Sequence, residues 1–362
     1  MVGGGSNNVS WLRGGRIVFG LYKGSLTESD LWGLALDSSD SAAGKPFRLT
    51  NTTGLGIAGL STSSDGKRLA ILFERGSFSL FIANLSGRAN KLEQPLRLTN
   101  DYWNSFPGCW TSDSKTLFYA VLRNDEGQQK TSTYKRRISS DSAELFLTGS
   151  ESYAPSSLSP DGAWVIATAN RRISGKGRLL RIPSSGGVPE TILDLAGLGE
   201  AHCSNTGSGV CVLSEKIGKQ VVFTVFDPVR GRKEELARID NLGNYLDWSL
   251  SPDGKQVALV ENESDHVRVL SLASKQVQVV HATPLQDRIQ FLDWSSDGKR
   301  LFLSANFANG GVLLEMDPSG STRVLLKNPW GWIGHPLASP DGKRIAYAYG
   351  VGESNVTLLE HF

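Results

Sequence analysis

The chain has 362 residues, 39% of them hydrophobic and 20% charged, with a formal net charge of +2 from 38 basic and 36 acidic side chains. That near balance argues against a nucleic-acid binder, which carries a strong basic excess, and no stretch approaches the roughly 18 apolar residues of a membrane-spanning helix. Three cysteines do not make a disulfide scaffold, whereas 40 glycines suit a turn-rich all-β protein.

Residues 1–6 contain Gly3-Gly4-Gly5-Ser6 and read as a flexible linker, with neither the basic nor the apolar stretch of a signal peptide. From residue 7 onward one pattern recurs, a tight-turn signal followed at once by alternating apolar residues. The clean copies are Ser64-Asp65-Gly66-Lys67, Ser112-Asp113-Ser114-Lys115, Pro160-Asp161-Gly162, Pro252-Asp253-Gly254-Lys255, Ser296-Asp297-Gly298-Lys299 and Pro340-Asp341-Gly342-Lys343. Their aspartates lie 48, 48, 92, 44 and 44 residues apart. The double interval places a worn copy near Gly207, and an eighth stands at Trp11-Leu12-Arg13-Gly14-Gly15. A strand-rich period of about 40–50 residues is the mark of a β-propeller. The expected architecture is all-β: a single domain over 7–362, an eight-bladed propeller of four-stranded antiparallel blades, with seven blades as the alternative.

One repeat shows how a blade arises. Gln290 to Trp294 forms a first strand, and Asp297 and Gly298 close the turn, because Gly supplies the positive φ a tight hairpin needs. Lys299 to Ser304, Val312 to Met316 and Arg323 to Leu326 supply the remaining strands. Second strands recur at 69–72, 117–119, 165–167, 257–259 and 345–347, third strands at 31–34, 80–82, 221–225 and 267–270, and fourth strands at 47–50, 96–99 and 145–148. Fourth strands number one fewer than second and third strands, because residues 355–362 read as a third strand. Ring closure then needs a strand from elsewhere. Residues 1–6 are too glycine-rich to serve, so the closing strand is expected upstream of this chain.

The Ser-Pro-Asp-Gly turns at Pro160, Pro252 and Pro340, with the Leu-Thr endings at 49–50, 98–99 and 147–148, resemble the WD-like repeat of TolB-type propellers. Cys211 to Glu215, Phe226 to Gly231 and the ending Leu359 to Phe362 also look like the C-terminal sensor propeller of certain bacterial serine/threonine kinases and winged-helix regulators. That resemblance implies a sensory or scaffolding module, part of a larger signalling protein. It would be extracytoplasmic if attached to a membrane receptor, and cytoplasmic if this chain stands alone. No catalytic residue and no cofactor come with the resemblance.

Residue patterns for chemistry are sparse. Gly207-Ser208-Gly209 is too short for a nucleophile elbow and lies in a hairpin. His202, His266, His281, His335 and His361 show no i, i+2 or i, i+4 pairing, and each turn aspartate stands alone, so no metal site is expected. Basic clusters at Arg136-Arg137 and at Arg171-Arg172, Lys176 and Arg178 read as solvated loops and strand edges. Cys203 and Cys211 flank the worn turn. Pairing Ser204 with Ser208 puts them on a diagonal, close enough for a disulfide, although two small packed thiols are the commoner arrangement.

Binding is expected where fourth strands run into the next first strands. These loops are rich in aromatic and amide residues, and Tyr, Trp and Arg dominate binding hot spots. The candidate contacts are Tyr102, Trp103, Asn104, Tyr153, Tyr245, Arg288, Trp330, Trp332 and His335. The blander role for these rings is to plug the gaps between blades. The expected function is a non-catalytic module that binds a protein, a peptide or a small molecule, with no nucleic acid and no membrane insertion by this chain. The alternative is the propeller of a hydrolase or sugar-active enzyme with its site at the channel mouth. Carboxylates or histidines meeting there would favour that alternative.

Overall fold

The structure, a computed structural model, describes residues 8–360 except 13, 23–27, 40, 53–54, 86–91, 100–102, 126–127, 150, 172–175, 205–208, 241–245, 262–263, 285–287 and 308–309. The linker at 1–6, the turn at Gly207, and Tyr102 and Tyr245 therefore lie outside the described residues. The described chain is built from 29 strands. Among the described residues no helix is long and apolar enough to cross a membrane.

The Asp-Gly turns work as their sequence predicts. In the copy at 297, Ser295 Oγ donates to Asp297 Oδ1 (2.6 Å), and the Lys299 N–H donates to the same carboxylate oxygen (3.1 Å). Ser295 Oγ accepts from the Arg300 N–H (2.9 Å), and Gly298 sits at φ 67°. The side chains thereby satisfy donors that a tight turn strips from the ladder. Ser114 replaces the glycine in the copy at 113. It holds φ 58° while its Oγ accepts the N–H of Asp341 (3.0 Å).

Two compact units result. One comprises Phe78–Arg123 and Lys130–Gly350, the other Met1–Ser77, Asn124–Gln129 and Val351–Phe362. In the larger unit, six antiparallel four-stranded sheets each begin with an innermost strand: Asn104–Trp110 (β1), Ser152–Leu158 (β2), Gly199–Cys203 (β3), Leu246–Leu250 (β4), Ile289–Trp294 (β5) and Ile333–Ala338 (β6). Each packs on the next, and β6 returns to β1, so the six strands close a ring. Apolar layers between blades seal it. One such layer gathers Ala258, Val267, Leu292, Trp294, Leu303 and Leu314, all buried.

The smaller unit holds one four-stranded sheet, Val9–Leu12, Arg16–Tyr22, Ser29–Ala35 and Phe47–Arg48, and a second sheet of Gly56–Thr62, 68–74 and 352–360. Leu12, Val18, Leu31, Ile57, Leu69 and Ile71 form its core. Counting sheets in both units gives eight blades, consistent with the repeat count.

Two strands depart from the expected hairpin grammar. Arg68–Leu85 and Arg344–Glu360 each run straight on where a turn between second and third strand is expected. A strand that does not turn cannot pair with itself, so each half finds a different partner. In the larger unit 78–85 lies beside 344–349, where the Leu85 N–H donates to the Lys343 carbonyl (2.8 Å) and Phe81 stacks on Tyr347 (5.9 Å). Leu92–Arg97 completes that sheet. In the smaller unit 352–360 lies beside 68–74, with Arg68 Nε and Glu360 Oε1 2.8 Å apart. The C-terminal blade thus takes both its third and fourth strands from 78–85 and 92–97, within this chain and not from upstream as expected, while 352–360 passes to the smaller unit, whose second sheet has three described strands.

The disulfide is present, joining Cys203 and Cys211. The expected diagonal was wrong: the two are direct cross-strand partners. Ser204 pairs with Val210 rather than Ser208, the Ser204 N–H donating to the Val210 carbonyl (2.8 Å), because the connecting loop is longer than a tight turn. Cys109 is a free, buried thiol whose ionisation burial pushes far up.

Candidate ligand-binding channel

The innermost strands share a register set by the turns that follow them. Counting back from the turn, one position carries Trp110, Leu158, Cys203, Leu250, Trp294 and Ala338, all buried between blades. The residue before it is Cys109, Ser157, His202, Ser249, Asp293 or Leu337, and these line a cavity of about 60 Å³, room for a few water molecules. Two residues further from the turn come Pro107, Pro155, Glu200, Asp247, Phe291 and His335. Polar groups therefore cluster on β3 to β6, while β1 and β2 contribute proline, cysteine and serine.

Neighbouring innermost strands splay too far apart for a ladder, and four of them carry bulges: at Pro107/Cys109, Pro155/Ser157, Ile289/Phe291 and Gly334/Leu337. As sheet edges, the innermost strands also turn backbone N–H groups toward the channel that no ladder pairs and that a buried wall cannot leave unpaired. The channel side chains take them up. Asp247 Oδ2 accepts the N–H of Leu292 (2.8 Å), Asp293 Oδ2 accepts that of Ala338 (2.8 Å), and Ser157 Oγ accepts that of Cys203 (2.9 Å). Ser249 Oγ donates to Asp293 Oδ1 (2.7 Å), and the indoles of Trp294 and Trp110 donate to the carbonyls of Ser249 and Leu337 (3.2 and 3.3 Å). Each bond ties one blade to the next.

These acids share one field. Burial first, then the charges of Glu200 and Asp293, hold the Asp247 carboxyl well above the usual range. Burial pushes Asp293 up to about 6, against the bonds from Ala338 and Ser249 and the charge of His202. Burial also acts on Glu200, but the His202 imidazole 3.7 Å away and the nearby His335 bring its carboxyl below its ordinary value. Burial lowers His335 to about 4, so its imidazole is neutral at pH 7.

An aromatic cluster surrounds His335. Its ring lies 3.9 Å from Phe291 and 5.0 Å from Phe106, and Trp332 packs on Phe78 (4.6 Å) and Phe291 (5.3 Å). The Trp332 indole donates to Gln290 Oε1 (3.0 Å), which also accepts from Asn306 Nδ2 (2.8 Å). Gly334 is required beneath this ring, since a Cβ there would overlap the Trp332 indole.

No protein-family model matches the chain, and no curated protein matches it. Among solved structures it is similar to TolB from Acinetobacter baumannii, with a TM-score of 0.52 and 17% identity over 95% of this chain and 82% of that one. A putative TolB from Agrobacterium tumefaciens gives 0.55 and 18%, over 77% and 99% of the two chains. The fold is a TolB-like β-propeller. A chain of the nidogen/laminin complex aligns on it as well, at TM-score 0.54 and 12% identity over 70% of this chain and 97% of that one. At such identities the likeness is one of fold.

Within this TolB-like propeller the described sequence-predicted contacts take up several different surroundings. Trp332 and His335 meet in the aromatic cluster. Trp330 is 92% exposed. Trp103 is half-buried, with the Arg123 guanidinium 5.5 Å from its ring, and Asn104 Oδ1 accepts the Phe78 N–H (3.0 Å). Tyr153 packs against a blade core, and its carbonyl accepts from Thr133 Oγ1 (3.1 Å). Arg288 is exposed at φ 84°, its carbonyl accepting the Asn306 N–H (3.3 Å). Of the basic clusters, Arg136 is buried and donates to the carbonyls of Leu98 and Ser140, and Arg178 pairs with Glu151. Glu200, His202, Asp247 and Asp293 were missed. Their fixed distance before the turn was the available signal.

Proposed function

We propose that this propeller is a non-catalytic binding module that docks a protein or peptide through the loops around Trp330, as the sensor or scaffold part of a signalling protein. The observation that carries this is Trp330 itself: a 92% exposed indole on a braced loop. The Trp330 backbone N–H donates to Asn328 Oδ1 (3.2 Å), the buried Asn328 side-chain amide donates to the Gly350 carbonyl (2.9 Å), and Trp332 is anchored two residues on. An exposed aromatic held rigidly loses little entropy on binding, which is how hot spots gain affinity. The channel acids support the same reading, because Asp247 and Asp293 are engaged in joining blades. The nidogen/laminin complex contains a propeller of this fold together with a protein partner. A photocrosslinking residue at position 330 should capture a discrete partner that one at Val188, also exposed, does not, and Trp330→Ala should abolish that association. No specific capture, together with no thermal shift across a peptide and metabolite screen, would remove the reading.

One observation favours the enzymatic alternative. Glu200 is pushed below its ordinary range while Asp247 is held well above it, and carboxyls separated in this way can divide acid and base roles. Hydrolysis of nitrophenyl esters or glycosides that disappears in both Glu200→Gln and Asp247→Asn would support it. Turnover unchanged in either variant would not.

A further inference from the structure

The outer pair of one blade, His266–Ser271 and Val277–His281, sets His266 directly opposite His281. Their ring centroids are 5.4 Å apart. Asp265 precedes the first strand and divides its carboxylate between them, with Oδ1 2.7 Å from His266 Nδ1 and Oδ2 3.3 Å from His281 Nδ1. Two imidazole nitrogens and a carboxylate oxygen thus lie within 4.8 Å of one another.

The backbone around them is fixed. The Ala282 N–H donates to the Asp265 carbonyl (2.9 Å), and Ser264 Oγ bonds the backbone of His266 and lies 3.1 Å from its Nδ1. The Ser264 carbonyl in turn accepts the Ile289 N–H (2.9 Å). The side chains of His266, Asp265 and His281 are 32%, 41% and 64% exposed, open to an arriving ion and to water in its remaining positions.

We propose that Asp265, His266 and His281 form a binding site for a late first-row divalent cation of the zinc class. Zinc holds nitrogen and oxygen ligands at about 2.0–2.2 Å, so ligand atoms around a tetrahedral ion stand roughly 3.3 Å apart. The three ligand atoms, all within 4.8 Å of one another, have to draw in to reach that, which their partly exposed side chains leave room to do. Two imidazoles select zinc, copper or nickel over the oxygen-seeking magnesium and calcium. This site is separate from the channel and from Trp330, and it does not depend on the binding role assigned to them.

The test titrates zinc calorimetrically into the full chain after chelator treatment. One saturable site is expected, with His266→Ala and His281→Ala each weakening it at least about tenfold, and Asp265→Asn also weakening it. His361→Ala should bind as the parent does. Copper(II) electron paramagnetic resonance provides a second readout, with hyperfine coupling to two nitrogens in the parent and to one in His281→Ala. Circular dichroism confirms that the variants are folded. Zinc binding that is absent, or that survives unchanged in the histidine variants, would overturn the proposal, and the three side chains would then be only a hydrogen-bonded cluster.

Discussion

The carboxylate of Asp293 on β5 and the backbone N–H of Ala338 on β6 meet at 2.8 Å, joining two blades that share no ladder at the channel wall. Asp293→Ala should leave that N–H and the Ser249 hydroxyl without partners and cost about 1–3 kcal/mol. Asp293→Asn keeps an acceptor and should cost less. Chemical denaturation of the two variants measures the difference, and equal losses would show that the bond contributes little.

The same residue carries a pH dependence. Its folded pKa is raised to about 6, above the unfolded value, so its contribution to stability is full below the unfolded pKa and is lost as pH rises through about 6. The Asn variant has no proton to lose there. Its stability relative to the parent should therefore improve between pH 3 and about 7, by up to about 3 kcal/mol. A difference flat across that range would contradict the raised pKa. The turn aspartates act in the opposite sense. Asp65, Asp113, Asp161 and Asp297 are lowered by the Ser or Thr two residues earlier. Their contribution is present above the unfolded pKa and disappears as pH falls through the folded one, so the acid limb of the melting profile should flatten when these serines and Thr111 become alanine.

Thiol titration of the denatured chain should find one reactive cysteine, Cys109, rising to three after reduction. The bridge closes a short loop of sequence separation 8, and removing it with Cys203→Ser should lower stability by about 2–3 kcal/mol on the chain-entropy model. Three reactive thiols before reduction would show the bridge unformed.

Gly334→Ala places a methyl group where the Trp332 indole lies. Overpacking of this kind costs about 1–3 kcal/mol, and tryptophan fluorescence should shift as the ring leaves Phe78 and Phe291. Trp330→Ala should change stability by less than about 0.5 kcal/mol, since its ring is in solvent.

The blades were legible because turn chemistry and strand period agree in every clean copy. The straight run through Glu74 to Ser77 was not, because the choice between turning and continuing there depends on which strand waits to be paired. Glu200 and His202 were hidden for a related reason. Their repeat ends in the worn turn after Ser204, which blurs the alignment with Asp247, Asp293 and His335. His266 and His281 lie far apart in sequence, and only the strand register brings them together. Of the aromatic loops, the contacts of Trp103, Asn104 and Tyr153 with Arg123, Phe78 and Thr133 come from the fold and carry no signature in the sequence.

The two long strands also impose an order on birth. Segments 68–74 and 78–85 leave the ribosome well before Arg344–Glu360, the strand with which both pair. At about 5–20 residues per second the wait is on the order of tens of seconds. Throughout it, two apolar strands each present a bare edge, the surface most apt to recruit a wrong strand. Neither unit can close on a nascent chain that stops short of residue 344, so the order of synthesis holds both open until that one strand has emerged.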